Sequence, residues 1–235
     1  MRRSSLLLCT LVACAAAMDE PTQARSRMVE QQLAGRDITD EHVLSAMRRV
    51  PRERFVPPED QRFAYGDHPL PIGHGATISQ PYIVALMTQL ARVQPGDRVL
   101  DVGTGSGYQA AVLAEMGAEV YSIEVVTELA EQAATLLEEL DYDNVHVRAG
   151  DGYRGWPEAA PFAAIIVAAA APTIPRPLTE QLAVGGRLVI PVGEFVQDLQ
   201  VLEKRPSGDL HLETVLPVRF VPMVGEVESQ PRSRY

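Results

Sequence analysis

Three glycines at alternate positions form the pattern in this chain that says most about its chemistry. Gly103, Gly105 and Gly107 follow a short apolar segment that contains Asp101, and a helical pattern begins at Tyr108. This order places backbone N–H groups and a helix N-terminus at the open end of a strand, where nucleotide-like ligands bind. A dinucleotide fingerprint requires glycine where this chain has Tyr108, so the spacing disfavours a nicotinamide oxidoreductase.

The D-x-G-x-G-x-G form of residues 101–107 suits a ligand that has no pyrophosphate and lies flat against the loop. It resembles the cofactor loop of class I S-adenosylmethionine-dependent methyltransferases. The resemblance implies S-adenosylmethionine as the cofactor, with Gly103, Thr104, Gly105 and Gly107 among the residues that bind it. A strand-to-helix turn without a ligand would not need three alternating glycines.

Three acids stand where strands of such a unit are expected to end. Glu124 lies about 20 residues beyond the loop, where a carboxylate can accept both ribose hydroxyls. Asp101 would hold the N–H groups of the loop or the methionine amino group of the cofactor. Asp151, followed by Gly152, would bond the adenine amino group. The alternatives are structural: a solvated strand end for Glu124, a loop cap for Asp101 and an ordinary turn acid for Asp151.

A second polar, glycine-rich stretch, residues 71–82, precedes the cofactor unit. Thr77 and Ser79 alternate around Ile78, which predicts that Ile78 faces the core while both hydroxyls face a cleft. Composition alone would suit a flexible loop equally well. His74 stands between two glycines, and we interpret it as a loop hydrogen-bonding residue rather than an acid or base.

The elements that must position these residues alternate along the chain. We expect strands at 98–102, 119–123, 145–149, 162–167, 187–191, 199–204 and 212–220, and helices at 108–116, 127–140 and near 177–182. This order predicts an α/β fold with a Rossmann-like, doubly wound, mostly parallel sheet and a C-terminal antiparallel hairpin. Upstream, two helices within 27–50 and a loop-rich stretch at 65–80 form an N-terminal helical extension, and a helix at 81–91 leads into the sheet.

Length and composition predict one large domain. The order of the segments places it at residues 27–225, with the extension and its loop at 27–80 and the cofactor core at 81–225. The net charge of −10 argues against nucleic acid as a partner. Five histidines without ligand spacing support no metal site. We see no long apolar stripe left after the core is assigned, which favours a monomer, and we expect residues 226–235 to be disordered.

The leader, residues 1–26, has two interpretations. A basic start and the apolar run 6–17 resemble a secretory signal, and Cys14 lies in a sequence like a lipoprotein processing site, which would anchor the chain to a membrane. Alternatively the start is annotated too far upstream, and Met18 or Met28 is the first residue. S-adenosylmethionine is made in the cytosol, so we favour a cytoplasmic enzyme.

Several motifs together resemble protein-L-isoaspartate O-methyltransferases. The segment 73–82, Gly-His-Gly-Ala-Thr-Ile-Ser-Gln-Pro-Tyr, is the most specific of them. The others occur in the family's order, at residues 50–56, 100–108, 150–156, 185–193 and 218–223. The glycine loop alone would indicate only a methyltransferase, whereas segment 73–82 selects this family.

The resemblance implies an enzyme that methylates the free α-carboxylate of L-isoaspartyl residues in damaged proteins and peptides. The methyl ester then closes to a succinimide, which reopens in part to normal aspartate. Ser79 would be the catalytic serine, with Ala76, Thr77 and Ile78 lining the site. Glu124 would bind ribose, and Asp151 with Gly152 the adenine side. The substrate carboxylate is ionised at neutral pH, so neither a strong base nor a metal is required.

Two other functions stay open at this stage: methylation of a small-molecule carboxylate, and cofactor binding without catalysis. Ala163 stands where family members often carry aspartate, which predicts a lost contact near the cofactor. Trp156 would either stack on adenine or pack beneath a loop, and packing is favoured. Tyr108 either covers the methionine part of the cofactor or simply begins its helix.

Overall fold

A seven-stranded sheet organises the computed structural model, which describes residues 20–225. The helices are α1 (Glu20–Met28), α2 (Glu41–Arg49), α3 (Pro81–Ala91), α4 (Tyr108–Glu115), α5 (Thr127–Glu139) and α6 (Arg176–Glu180). The strands are β1 (Leu70–Gly73), β2 (Ala76–Ile78), β3 (Arg98–Val102), β4 (Glu119–Glu124), β5 (Val145–Ala149), β6 (Phe162–Val167), β7 (Leu182–Val192), β8 (Gln197–Lys204) and β9 (Leu210–Val218).

The strand order of the large sheet is β5-β4-β3-β6-β7-β8-β9, with β3 to β7 parallel and β8 and β9 antiparallel. The chain winds outward from β3 to β5 and then returns to place β6 on the other side of β3. The order therefore reverses at β3, and ligands bind beyond the carboxyl ends of strands at such a point. The predicted doubly wound sheet with a C-terminal antiparallel hairpin is confirmed.

The central strands are buried on both faces, as parallel strands between two helical layers must be. Leu100, Val120, Ile165 and Ile166 have no exposed side-chain surface. On one face α2, α3 and α4 pack into a core that also includes Met28 and Leu33 from the N-terminal extension. The extension thus shares a core with these helices and leads into β1.

The N-terminal extension begins earlier than its sequence pattern indicates. Residues 20–26, which we assigned to the leader, lie within α1, and Arg25 contacts the Tyr65 hydroxyl. A π-helical turn, Val29–Ala34, continues α1 directly. The leader proper, with both cysteines, and the predicted disordered tail at 226–235 lie outside the described residues.

The main element missed by the sequence pattern is the antiparallel pair β1 and β2, which lies within the stretch predicted to be loop. Its strands have four and three residues, too short for alternation to stand out. Strand β7 also begins at Leu182, where a helix was expected, because an irregularity in its pairing with β6 absorbs two glycines, 185 and 186. No helix among residues 20–225 is both long and apolar enough to cross a bilayer.

Candidate active site

A cavity of about 310 Å³ opens at the carboxyl ends of β3, β4 and β6, where the strand order reverses. Its size lies in the range of small-molecule sites. Its lining residues fall into two sets. The cofactor wall consists of residues 102–106, 108–109 and 123–126; the acceptor wall consists of residues 74–79 and 221–224. Gly107, which was predicted to bind the cofactor, does not line the cavity and instead precedes the first residue of α4. Gly152, Ala168 and Ala169 also line the cavity, and Val84 and Met87 of α3 complete it.

The glycine loop of the cofactor wall is fastened to the end of β4. The N–H groups of Gly103 and Thr104 both donate to the Ile123 carbonyl, at 2.8 and 3.2 Å. The Glu124 carboxylate then accepts the N–H of Gly105 at 2.8 Å and that of Val126 at 3.1 Å. One acid therefore fixes the loop and also lines the cavity, which leaves its remaining acceptor capacity for ligand hydroxyls.

Both the backbone conformation and the packing at Gly105 favour glycine at this position. Its φ of +54° is one that residues with side chains rarely adopt, and a Cβ atom there would lie 3.1 Å from Cδ1 of Ile72. Ile72 belongs to β1, so the short β1–β2 pair rests directly on the glycine loop. The strand pair that carries residues 76–78 of the acceptor wall therefore contacts the cofactor wall at this point.

Asp101 lies beneath the loop and does not line the cavity. It is fully buried, and its Oδ2 accepts a hydrogen bond from Ser122, which is also bonded to the Thr104 hydroxyl at 2.6 Å. Burial raises the pKa of the Asp101 carboxyl to about 7; the Ser122 hydrogen bond opposes this rise and the Glu124 charge adds to it. The predicted contact of Asp101 with loop N–H groups is replaced by this chain of hydroxyls.

Asp151 is likewise set back from the cavity. Its carboxylate accepts the N–H of Tyr153 at 3.0 Å and so caps a short 3-10 turn that begins at Gly152. Gly152 itself lines the cavity, and a Cβ there would lie 2.5 Å from Cγ1 of Val102. This turn therefore brings the Gly152 backbone, rather than the Asp151 carboxylate, to the cavity.

The acceptor wall brings together the polar residues predicted from segment 73–82. Ala76, Thr77, Ile78 and Ser79 all line the cavity, and Ile78 is also buried, as the alternation predicted. His74 lines it too, from a turn in which Gly73, His74 and Gly75 all have positive φ. Within residues 20–225 the Ser79 hydroxyl makes no hydrogen bond to a protein group, which leaves it available to a bound carboxylate.

Asp67 fixes the chain on the far side of Ser79. Its carboxylate accepts the Gln80 side-chain amide at 2.8 Å and the N–H of Tyr82 at 3.2 Å, and it pairs with Arg36 at 3.1 Å. Tyr82 is in the first turn of α3, whose own N-cap residue provides no side-chain bond. Asp67 therefore caps α3 from a distance and holds both residues that flank Pro81.

The second half of the acceptor wall is residues 221–224, which sequence reasoning left without a role although the motif at 218–223 was noted. The side chain of Gln197 binds both polar groups of the preceding Phe220: it accepts the N–H at 2.6 Å and donates to the carbonyl at 3.2 Å. Met223 is held by backbone bonding to Ala170 and by the Tyr153 hydroxyl. Both anchors come from distant parts of the chain, so local patterns could not reveal them.

Comparison with known proteins decides between the methyltransferase families. The model of the protein-L-isoaspartate(D-aspartate) O-methyltransferase family matches residues 23–228. The protein-L-isoaspartate O-methyltransferase of Opitutus terrae is 60% identical over 224 residues, covering 94% of this chain and 96% of its own. That of Gloeobacter violaceus is 58% identical over 201 residues, covering 85% and 98%.

The chain belongs to this family. Membership confirms the resemblance carried by segment 73–82 and makes the chain an S-adenosylmethionine-dependent O-methyltransferase. A solved structure of a protein-L-isoaspartate O-methyltransferase superposes with a TM-score of 0.77 at 28% identity, covering 87% of this chain and 66% of that one. A Plasmodium falciparum family member in complex with S-adenosyl-L-homocysteine gives 0.75 at 30% identity, covering 85% and 98%.

The family motif at 50–56 supports the cofactor wall from behind. Arg52 is fully buried; its Nε donates to the Ala64 carbonyl at 2.7 Å, and its guanidinium lies 4.8 Å from the centre of the Tyr108 ring. Burial lowers the pKa of Arg52, opposed by its contact with Tyr108. Tyr108 begins α4, as one interpretation of that residue predicted, and it also lines the cavity.

Two other predictions for this methyltransferase are settled by position. Trp156 packs edge-on against Tyr121 at 5.2 Å and beneath Arg148, away from the cavity, which confirms packing over stacking on adenine. Ala163 is the second residue of β6, near its amino end, and does not line the cavity. The expectation of a lost contact near the cofactor is therefore wrong. Among residues 20–225 no group of three metal-ligating side chains is found.

Proposed function

We propose that this chain methylates the free α-carboxylate of L-isoaspartyl residues in damaged proteins and peptides, with Ser79 as the catalytic residue. The observation that carries the proposal is that Ser79 and Glu124 both line one cavity, Ser79 in the acceptor wall and Glu124 in the cofactor wall. The chemical fit of the cavity to S-adenosylmethionine supports it. Glu124 offers acceptors for ribose, Gly152 allows close backbone approach, and Val125 with Val126 provides apolar surface for a ring.

When bound, S-adenosylmethionine supplies an electrophilic methyl group on sulfur. The protein's residues have to orient the acceptor and exclude water. The acceptor is ionised at neutral pH, so no side chain needs to remove a proton from it. Ser79 donates a hydrogen bond to one carboxylate oxygen, which leaves the other oxygen directed at the cofactor side. Correct alignment at near-contact distance accounts for a large part of the rate in such a reaction.

The mostly apolar lining strengthens this hydrogen bond. Ile78, Val84, Met87 and Val102 contribute apolar surface to the cavity, and Glu124, His74 and Tyr108 are the ionisable side chains among the described lining residues. Little competing charge or water is left at the acceptor position, and a hydrogen bond to a carboxylate is stronger in such surroundings. The cavity opens to the surface, as a site for a residue within a polypeptide must.

Transfer of radiolabelled methyl from S-adenosylmethionine to a synthetic L-isoaspartyl peptide tests the proposal, with the same peptide containing normal aspartate as the control. We expect base-labile label on the isoaspartyl peptide alone. A small free dicarboxylate in a third reaction tests the small-molecule alternative. Label on that compound and not on the peptide would overturn the proposed substrate. We further propose that the enzyme is a monomer and that it acts in the cytoplasm, where its cofactor is made.

A further inference from the structure

Large apolar side chains are exposed unevenly over the described surface. They are Phe63, Val125, Val184, Phe195, Val196, Leu210, Leu212, Val221 and Val224. Val125, Val221 and Val224 line the cavity itself, and Phe195 and Val196 occupy the turn that follows β7, at the same edge of the sheet. Phe195 is 98% exposed and Val196 77%. Apolar exposure concentrated in this way marks binding surfaces more often than scattered single residues do.

The turn at 193–196 is physically continuous with the acceptor wall. Its first residue, Gly193, donates its N–H to the Ala171 carbonyl at 2.9 Å, next to the lining segment 168–169. Its last residue, Val196, precedes Gln197, whose side chain holds Phe220 by both backbone groups. Phe220 leads directly into Val221 of the acceptor wall. The exposed turn and the cavity rim are therefore two parts of one fastened surface.

We propose that this turn, through Phe195 and Val196, binds an apolar side chain of the substrate polypeptide close to the isoaspartyl residue. The inference rests on the proposed function: if the reacting residue lies within a polypeptide, its neighbours must leave the cavity across the rim. The path from Val221 through Phe220 and Gln197 to Val196 spans less than about 20 Å, which extended chain covers in roughly six residues. A flanking side chain within that distance reaches the turn.

The chemistry of the turn selects an apolar group over a polar one. Phenylalanine and valine offer no hydrogen bonds from their side chains, and contact with an apolar partner removes both surfaces from water. An aromatic ring on an exposed turn is a common anchor in protein recognition because it offers a large contact area with little conformational entropy to lose. The turn thereby supplies substrate preference without taking part in methyl transfer.

The test uses the full chain and a set of isoaspartyl peptides with serine at all flanking positions or with one leucine at a single position, up to six residues away on either side. We expect kcat/KM to rise about tenfold for leucine at one of these positions. In the double variant Phe195→Ser, Val196→Ser, the kcat/KM for that peptide should exceed the kcat/KM for the all-serine peptide by less than about twofold. Because the result is a ratio within one preparation, differences in active fraction cancel.

Val184→Ser provides the matched control. Val184 is 63% exposed and lies near the start of β7, at the opposite edge of the sheet from the turn. This variant should keep the tenfold preference. Equal rates for all peptides with the unchanged protein, or a preference that survives the double variant, would overturn the inference while leaving the proposed function standing. Methylation of none of the peptides would overturn the proposed function and this inference with it.

Discussion

The two walls of the cavity are held in different ways. In the cofactor wall, the glycine loop is fastened by groups from the adjacent strand β4: the Ile123 carbonyl and the Glu124 carboxylate. In the acceptor wall, Asp67 holds the segment around Ser79, and Gln197 holds the segment that begins at Phe220. The first wall is completed by neighbouring strands of one unit, whereas the second depends on contacts between distant parts of the chain.

This difference indicates that the two walls have separate roles, one in cofactor binding and one in orienting the acceptor. A loop fixed by its neighbouring strand can bind the same cofactor in many enzymes, while the segments that face the acceptor can change independently. Ile72 of β1 rests on Gly105 and joins the strand pair of the acceptor wall to the cofactor wall. Changes confined to one wall should therefore affect mainly one of two quantities, cofactor affinity or turnover.

The largest effect that we expect comes from beneath the cofactor wall. Burial holds the pKa of Asp101 at about 7, against 3.8 for the free carboxyl. Between these values the unfolded state loses the proton and the folded state keeps it, so stability falls as pH rises from about 4 to 7 and is level above. Relative to Asp101→Asn, the free energy of unfolding should fall by about 4 kcal/mol across that range. Denaturant titrations of both proteins at several pH values measure it, and parallel profiles would contradict this assignment.

Glu124→Gln tests the cofactor wall directly. The change removes the charge that accepts the N–H groups of Gly105 and Val126 and replaces one acceptor oxygen by a donor. Hydrogen bonds to a charged group are worth about 1.5–3 kcal/mol, so the Kd for S-adenosylmethionine should rise roughly 10- to 100-fold. Calorimetric titration gives the Kd. At saturating cofactor, kcat should recover most of its original value. If kcat stayed reduced by the same factor as cofactor affinity, the cofactor wall would not act mainly through cofactor binding.

Asp67→Ala tests how the acceptor wall is held, with a smaller effect. It removes the acceptor for the Gln80 amide and for the Tyr82 N–H, so the chain around Ser79 loses its fixed position. We expect kcat/KM for an isoaspartyl peptide to fall about tenfold, which corresponds to about 1.4 kcal/mol. The Kd for the cofactor should change less than about twofold. Asp67→Asn retains one acceptor oxygen, so its kcat/KM should lie between those of the unchanged protein and Asp67→Ala. If Asp67→Ala weakened cofactor binding as much as it lowers kcat/KM, Asp67 would not have a role specific to the acceptor wall.

The contrast between the walls also explains what could be read from the sequence. Gly103, Thr104, Gly105 and Glu124 follow local rules of strand, turn and helix, and they line the cavity as those rules predicted, whereas Gly107 does not. Asp101 was misplaced because periodicity locates a strand end but does not tell whether a side chain points into the cavity or beneath the loop. Alternation around Ile78 indicated a cleft at segment 73–79, but only the family motif distinguished it from a flexible loop, since its strands are too short for a clear pattern. Gln197 and Asp67 gave no local signal because their partners lie 23 and 13 to 15 residues away.

The most direct test of this division is one chemical change made on each wall. Ser79 and Ser106 both line the cavity, Ser79 on the acceptor wall and Ser106 on the glycine loop. For Ser79→Ala we expect kcat to fall on the order of 10²-fold, as misalignment of reacting groups does, while the Kd for S-adenosylmethionine changes less than about twofold. For Ser106→Ala we expect kcat to stay within about threefold. If Ser79→Ala weakened cofactor binding as much as turnover, Ser79 would not be the residue that orients the acceptor, and the account would fail.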